Sequence, residues 1–168
     1  KISIIGTNGL LSNSIGQFCN TNNIELDAYG LFAPEKHQFN NFYEVNLLKE
    51  EIHYENIKQS DIIIYAAGAG IQSNLKESTD LVYALNVAAP IKLFNKLKHI
   101  GYTGVFVSFG SYFEIGENTE NQFFTENELL QSQNRVVNDY SISKRMFSRF
   151  ISSVEQPFKT WHFILPTI

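Results

Sequence analysis

The sequence predicts an α/β fold in which a parallel sheet is covered by helices on both faces. Short apolar runs alternate with longer amphipathic segments, which is the pattern of a three-layer α/β/α domain. Two runs, Ile2–Ile5 and Ile62–Ala66, are apolar at nearly every position, so we expect strands that are buried on both faces. A chain of 168 residues is long enough to bury one such core.

The individual elements follow from the same periodicity. Six strands are predicted, at Ile2–Ile5, Ile24–Tyr29, Phe42–Val45, Ile62–Ala66, Val105–Ser108 and Trp161–Leu165. Helices are predicted between them, at Leu10–Asn20, Leu47–Ile57, Thr79–His99 and Asp139–Val154. From Gly110 to Asn138 only a short helical piece, Glu126–Gln131, is indicated. Long irregular connections are usually functional, so we expect this segment on the substrate side.

Composition and charge argue against several classes of protein. The net charge is −4 and the basic residues are scattered, so we expect no nucleic-acid partner. No run approaches the about 20 apolar residues of a membrane helix, and the chain opens on a strand instead of a leader. We therefore expect no membrane association and a cytoplasmic location. Cys19 is the only cysteine and the four histidines lack ligand spacing, so no metal is expected.

A glycine-containing segment, Gly6-Thr7-Asn8-Gly9-Leu10-Leu11-Ser12, joins the first strand to the first helix. Glycines permit a tight turn, and a helix N-terminus offers free N–H groups to a pyrophosphate. A plain glycine turn is the alternative, but the position at the first strand–helix junction favours a phosphate loop. We therefore predict a doubly wound, Rossmann-type domain that binds NAD or NADP, with loop contacts from Gly6, Asn8, Gly9, Leu10 and Leu11.

A second motif, Tyr140-Ser141-Ile142-Ser143-Lys144, places a phenol and an ammonium four residues apart on one helical face. A nearby cation favours the phenolate and lowers the pKa of a tyrosine from about 10, as acid–base chemistry near neutral pH requires. Such a pair alone fits an ordinary helix surface better than an active site. The interpretation of this pair as part of an active site depends on the other segments of the sequence.

Several segments in this order resemble the extended short-chain dehydrogenase/reductase family, in particular its NAD(P)-dependent nucleotide-sugar epimerases, dehydratases and ketoreductases. They are the glycine loop, Asp61–Gly68, Asn86–Pro90, Val107–Ser111 with Ile115-Gly116, and the pair Tyr140 and Lys144. The resemblance extends over essentially the whole chain. It implies that Ser111 hydrogen-bonds the reacting sugar oxygen, Tyr140 exchanges the proton and Lys144 holds the nicotinamide ribose. Ser108 is the alternative for the reactive hydroxyl.

The resemblance also implies further cofactor contacts, from Asn46, Leu47, Ala66, Ala67, Gly68, Asn86 and Ser108, besides Tyr140 and Lys144. NAD-preferring members end the second strand with an acid, but Gly30 stands at that place and Asp27 lies too early in the strand. A 2′-phosphate would then be tolerated, with Lys36 or His37 as its neighbour or as plain loop residues. NADP is therefore slightly favoured over NAD.

Departures from the family pattern narrow the expected reaction on a nucleotide-sugar substrate. Tyr112-Phe113 follows Ser111 where the family's dehydratases carry Asp-Glu, so a 4-ketoreductase or an epimerase is expected, with the former slightly favoured. Leu165-Pro166 resembles a Leu-Arg-Pro segment without its Arg. The rival hypotheses are a catalytically silent NAD(P)-binding redox sensor and a Rossmann-like protein that binds a different nucleotide.

The chain ends directly after its last predicted strand. We therefore expect that residues 1–168 are the NAD(P)-binding half of a longer protein and that the substrate-binding C-terminal part is absent. The resemblance further implies a homodimer formed through the helix that carries Tyr140 and the helix Thr79–His99. Aromatic residues near the suspected active-site loop fit stacking on the substrate, burial in the core or cover by a second domain, and we expect the last of these for Phe123 and Phe124.

Overall fold

A computed structural model describes residues 1–70, 77–118 and 123–166, and within these ranges it contains one sheet of six parallel strands. The strands are β1 (Ile2–Ile5), β2 (Leu26–Gly30), β3 (Asn41–Glu44), β4 (Ile62–Tyr65), β5 (Val105–Ser111) and β6 (Lys159–Leu165). Their spatial order is β3-β2-β1-β4-β5-β6, and every neighbouring pair is parallel. The order reverses between β1 and β4, so their carboxyl ends flank the crevice in which such sheets bind ligands. The predicted Rossmann-type fold is confirmed.

The helices lie between the strands in the predicted alternation. They are α1 (Leu10–Thr21), α2 (Tyr54–Ile57), α3 (Thr79–Tyr83), α4 (Ala89–His99), α5 (Glu126–Gln131) and α6 (Asp139–Ser153). A π-helical turn, Ala84–Ala88, joins α3 to α4, and a 3₁₀ turn, Tyr112–Ile115, follows β5. The predicted helix Thr79–His99 is thus one continuous helical run with a π-turn inside it.

The core consists of two layers, one on each face of the sheet. On one face Ile5, Ile63 and Phe106 of the strands pack with Phe94 of α4 and Phe147 of α6. On the other face Cys19 of α1 packs on a smaller cluster of five strand residues, which are Ile4, Leu26, Ala28, Ile64 and Val107. Consecutive strand residues therefore point into opposite layers, which explains why the strands are apolar at nearly every position.

Two predicted elements differ from the structure by more than two residues at one end. The predicted helix Leu47–Ile57 is wrong over its first part, because only Tyr54–Ile57 is helical. Asn46 Oδ1 accepts a hydrogen bond from the Leu48 N–H at 3.1 Å, and this side chain closes a local turn instead of a helix. Strand β5 continues three residues beyond its predicted end, so Ser111 is its last residue.

Several large apolar side chains are exposed. Phe123 is fully exposed and Phe124 is 37% exposed, so neither belongs to the core of this chain. On the edge strand β6, Trp161 and Phe163 are about half exposed, and Phe163 stacks on Phe109 of β5 at 6.2 Å between ring centroids. In the described ranges, none of the helices has the length and apolar character needed to span a bilayer.

Candidate active site

The glycine loop lies at the carboxyl end of β1, beside the segment that follows β4. Gly6 has a φ of +91°, and a Cβ at this position would lie 2.5 Å from the backbone nitrogen of Ala67. Only glycine accommodates both the left-handed conformation and this close approach. The loop residue Gly9 precedes α1 without a side-chain cap, and the first turn of α1 carries no acidic residue. The first N–H groups of α1, which include those of Leu10 and Leu11, therefore lack intrahelical acceptors and suit an anion.

Asn8 ties the loop to the segment that follows β2. Its Nδ2 donates to the Ala33 carbonyl at 3.1 Å, and its Oδ1 accepts from the Glu35 N–H at 3.1 Å. Thr7 donates from Oγ1 to the Phe32 carbonyl at 2.7 Å. These contacts hold the phosphate loop against the end of β2, where a dinucleotide's adenosine ribose would lie.

The end of β2 lacks space for an acidic side chain. A Cβ at Gly30 would lie 2.8 Å from Thr7 Oγ1, so the loop itself fills that position. Asp27 is fully buried, pairs with Lys1 Nζ at 2.7 Å and accepts from Asn41 Nδ2 at 2.8 Å. The side chain of Asp27 is therefore committed to the sheet interior, in agreement with its predicted position within the strand.

The two basic candidates after β2 differ in their surroundings. Lys36 is exposed, whereas His37 is buried against Gly16 in the middle of α1. Burial lowers the pKa of His37 below its usual value near 6.5. The His37 ring is consequently neutral at neutral pH, and Lys36 is the candidate of the two that carries a charge.

The segment after β4 forms the second wall of the crevice. Ala66 and Ala67 are half-buried and Gly68 is exposed. A Cβ at Gly68 would lie 3.9 Å from Lys144 Nζ, so this segment approaches α6 closely. Leu47, on the turn that Asn46 closes, is half-buried against the core.

Asn86 holds this wall in place from the π-turn. Its Oδ1 accepts from the Ala69 N–H at 3.0 Å, and its Nδ2 donates to the Ala69 carbonyl and to Ser143 Oγ, both at 2.9 Å. Asn86 is 2% exposed, and its amide is engaged inside the protein. Asn86 therefore links the segment after β4 to α6, and these three hydrogen bonds are called the Asn86 brace.

Ser111, Tyr140 and Lys144 are brought together by the end of β5 and the first turn of α6. Asn138 Oδ1 accepts from the Ser141 N–H at 2.8 Å and so starts α6 just before Tyr140. The Tyr140 hydroxyl lies close enough to the Ser111 side chain for the two to interact. Lys144 Nζ donates to the Phe109 carbonyl at 3.1 Å and lies 5.8 Å from the centroid of the Tyr140 ring.

Burial, more than the pairing of Tyr140 with Lys144, sets the protonation of the two groups. The pKa of Tyr140 is raised, chiefly because the phenol is removed from solvent; the Ser111 side chain opposes the rise and Glu114 adds to it. The predicted lowering by Lys144 is therefore wrong for this arrangement. Burial lowers the pKa of Lys144 to about 8, against the opposing effect of Glu114.

A buried polar network lies directly behind these residues, and the sequence analysis missed it. Glu114 has no exposed surface, and its Oε1 accepts from the Ser111 N–H at 2.7 Å. His162 lies between Ser108 Oγ, 2.8 Å from Nδ1, and Ser148 Oγ, 2.7 Å from Nε2. The hydroxyl of Ser108 is thus engaged with His162. A visible signal for Glu114 was the spacing Ser111-x-x-Glu114, which is that of a capping box.

The His162 ring is a neutral part of this network. Burial lowers its pKa to about 4, and the positive charge of Lys144 contributes to the same effect. Within the part of the chain that the structure describes, no three His, Cys, Asp or Glu side chains are grouped as metal ligands would be.

The order of the sheet and the glycine loop at its switch point are those of the extended short-chain dehydrogenase/reductase class. The model of the NAD dependent epimerase/dehydratase family matches residues 2–165, and the chain belongs to this family. A comparison with curated proteins gave no match.

Solved structures with the same fold include several members of this class. The enzyme WbmG of Bordetella bronchiseptica, in complex with NAD and UDP, is 17% identical, with a TM-score of 0.72 over 95% of this chain and 51% of WbmG. UDP-glucose 4-epimerase of Thermus thermophilus, in complex with NAD, is 16% identical, with a TM-score of 0.68 over 90% of this chain and 49% of the epimerase. A GalE-like L-threonine dehydrogenase from Cupriavidus necator is 12% identical, with a TM-score of 0.79 over 98% and 54%. The chain spans about half the length of these proteins.

Proposed function

We propose that this chain is the NAD(P)-binding part of an enzyme that oxidises or reduces a nucleotide-linked sugar, as a 4-ketoreductase or an epimerase. The observation that carries the proposal is the convergence of Ser111, Tyr140 and Lys144 beside the crevice at the end of β1 and β4. A buried phenol with a raised pKa keeps its proton at neutral pH. Tyr140 is therefore suited to donate that proton to the oxygen of a ketone as it becomes an alkoxide, which favours the reductase.

The residues present fit a nicotinamide dinucleotide. The close approach at Gly6 and the uncapped N-terminus of α1 suit a diphosphate, with Asn8 and Gly9 shaping the loop. The remaining proposed contacts come from Gly30, Asn46, Leu47, Ala66, Ala67, Gly68 and Ser108, with Asn86 acting through the segment that it braces. When bound, the nicotinamide accepts or delivers the hydride, while Lys144 holds the ribose and Ser111 orients the sugar oxygen.

The preference for NADP remains slight in this proposal. The lack of space for an acid at Gly30 removes the group that NAD-preferring members use on the ribose. Lys36 is the exposed cation offered to a 2′-phosphate, since His37 is buried and neutral. The solved relatives WbmG and UDP-glucose 4-epimerase contain NAD.

Elimination of water is disfavoured as the reaction. Tyr112 and Phe113, 4.3 Å apart between ring centroids and both about 40% exposed, occupy the places after Ser111 where acid and base would be required. The next residue, Glu114, is a carboxylate, but it is fully buried and bound to the Ser111 N–H. The aromatic pair, whose rings are tilted by 35° to each other, instead follows Ser111 as a partly exposed surface.

The proposal extends to the rest of the protein. Because the solved relatives are about twice as long, we propose that residues outside 1–168 contribute the substrate-binding part and select the sugar and its nucleotide. A homodimer through α6 and the α3–α4 run is also proposed, with Met146 of α6, 48% exposed, at the contact.

The proposed reaction is tested by turnover of a panel of 4-keto nucleotide sugars with NADH and NADPH. Tyr140→Phe should lower kcat at least about 100-fold while leaving the affinity for the cofactor unchanged, because it removes only the transferred proton. Tyr83→Phe is the matched control. The Tyr83 hydroxyl donates to Asp139 Oδ1 at 3.4 Å and does not contact Ser111. Undiminished turnover by Tyr140→Phe would contradict the proposal. Cofactor binding without turnover by the parent would instead support the redox sensor.

A further inference from the structure

Glu114 occupies the junction between the two elements that carry the proposed catalytic residues. Its side chain accepts from the Ser111 N–H at 2.7 Å, and its main-chain carbonyl accepts from Arg145 Nε of α6 at 2.6 Å. Arg145 also donates from Nη1 to the Asn134 carbonyl at 2.8 Å. Glu114 therefore links the end of β5, which bears Ser111, to the helix that bears Tyr140 and Lys144.

The space around the carboxylate is shaped to hold it. A Cβ at Gly110 would lie 2.6 Å from Glu114 Oε1 and 2.7 Å from His162 Nε2, so the glycine leaves room for both side chains. Ser148 of α6 lies near the carboxylate, and its hydroxyl hydrogen-bonds His162 Nε2 at 2.7 Å. A charged side chain with no exposed surface is costly unless it is paired, and such a group is retained here at the centre of the site.

The titratable groups nearest to Glu114 lie on two elements, α6 and β6. From α6 they are Lys144 and Arg145, both cationic, together with the Tyr140 phenol; from β6 it is His162, which is neutral. Burial raises the pKa of Glu114, and the nearby Ser148 hydroxyl, the Ser111 N–H and the two cations oppose that rise. Conversely, the negative charge of Glu114 raises the pKa values of both Tyr140 and Lys144.

We propose that Glu114 is a positioning residue of the active site: its buried carboxylate fixes the main chain of Ser111 and places one negative charge beside Tyr140 and Lys144. This inference rests on the proposed function for its catalytic meaning. Its physical content, the effect of one buried charge on one phenol, is measurable without any substrate.

The test compares the ionisation of Tyr140 in the parent protein and in Glu114→Gln. Gln keeps the shape and an oxygen that accepts from Ser111, but it removes the charge. The full-length protein is labelled at tyrosine Cζ with ¹³C, and the Tyr140 signal is identified by its loss in Tyr140→Phe. We expect the Tyr140 titration curve in E114Q to lie about one pH unit below that of the parent.

Glu128→Gln is the matched control. Glu128 closes the same kind of capping box, accepting from the Thr125 N–H at 2.8 Å, but it is exposed on α5. Its substitution should leave the Tyr140 curve unchanged. Superimposable Tyr140 curves for the parent and a folded E114Q would overturn the inference, whether or not the parent turns over any sugar.

A second measurement needs no variant and covers the case in which E114Q does not fold. The Cδ shift of Glu114 in the ¹³C-labelled parent reports whether its carboxyl group is ionised at pH 7. An ionised carboxylate is the expected result. A protonated carboxyl group at pH 7 would overturn the inference, since it carries no charge to act on Tyr140.

Discussion

Tyr140 and Lys144 show how a buried setting changes the chemistry that a sequence spacing predicts. Four-residue spacing places both on one helical face, and the structure keeps them together. However, Lys144 Nζ donates to the Phe109 carbonyl, and burial raises the pKa of Tyr140 while it lowers that of Lys144 to about 8. The resting phenol is consequently a proton donor, and the ammonium is the more easily deprotonated of the two groups.

The buried ammonium of Lys144 carries a cost in stability. In the folded protein its pKa is about 8, against 10.5 for the ordinary side chain. The destabilisation is therefore complete below pH 8 and is relieved as the pH rises from 8 to 10.5. We predict that Lys144→Met stabilises the protein at pH 7, by up to about 3 kcal/mol at 1.36 kcal/mol per pH unit, while it abolishes activity.

Urea unfolding at several pH values measures this effect. The stability difference between Lys144→Met and the parent should shrink toward zero between pH 8 and pH 10.5. The exposed Lys49, replaced by Met in the same way, should show no such trend. A Lys144→Met protein that is less stable than the parent at pH 7 would contradict the prediction.

Among the elements, the π-turn Ala84–Ala88 has the clearest role. It interrupts an otherwise α-helical run and directs Asn86 toward Ala69 and Ser143, where the amide makes three hydrogen bonds. Such bulges recur at functional sites because they reorient one side chain without ending the helix. Here the reoriented side chain joins a wall of the crevice to the helix that carries Tyr140.

We predict that Asn86→Ala costs about 3 kcal/mol of unfolding free energy, because it leaves buried partners of the amide unsatisfied. Asn95→Ala, at an exposed position on α4, is the control and should change stability by less than about 0.5 kcal/mol. Both are measured by urea unfolding. Equal effects of the two substitutions would show that the Asn86 brace is energetically unimportant.

The sequence was most informative about elements whose burial is uniform. The strands β1 and β4 lie in the sheet centre, so their nearly continuous apolar character marked them within one residue. The false start of the second helix at Leu47 came from ignoring Asn46, whose side chain competes for the local N–H groups. Local patterns therefore predicted the elements, except where one side chain bonded its own backbone.

The site was only partly predictable for a different reason. The glycine loop, Ser111, Tyr140 and Lys144 lie in recognisable local patterns. By contrast, His162 hydrogen-bonds Ser108 and Ser148, which are 54 and 14 residues away in the sequence. No spacing pattern in the sequence predicts such contacts. Glu114 was the exception, because its capping-box spacing to Ser111 was visible beforehand.

At the scale of the whole molecule, the crevice is assembled from segments far apart in the chain. The loop at Gly6, the wall after β4 and the first turn of α6 meet only because β1 and β4 are central neighbours in the sheet. We expect this crevice to bind a nicotinamide dinucleotide through the glycine loop. Binding of the cofactor would depend on the whole fold, since each wall of the crevice comes from a different element.

The most direct test is titration of the full-length protein with NADH and NADPH, followed by nicotinamide fluorescence, for the parent, Gly6→Ala and Gly101→Ala. Gly101 shares a positive φ, +71°, but a Cβ there would meet no atom within 4 Å, so it controls for backbone strain alone. We predict that the parent binds both cofactors, with NADPH at least as tightly bound as NADH. Gly6→Ala should bind at least about tenfold more weakly than the parent, whereas Gly101→Ala should keep the affinity of the parent. Absence of binding by the parent, or parental affinity in Gly6→Ala, would contradict this prediction.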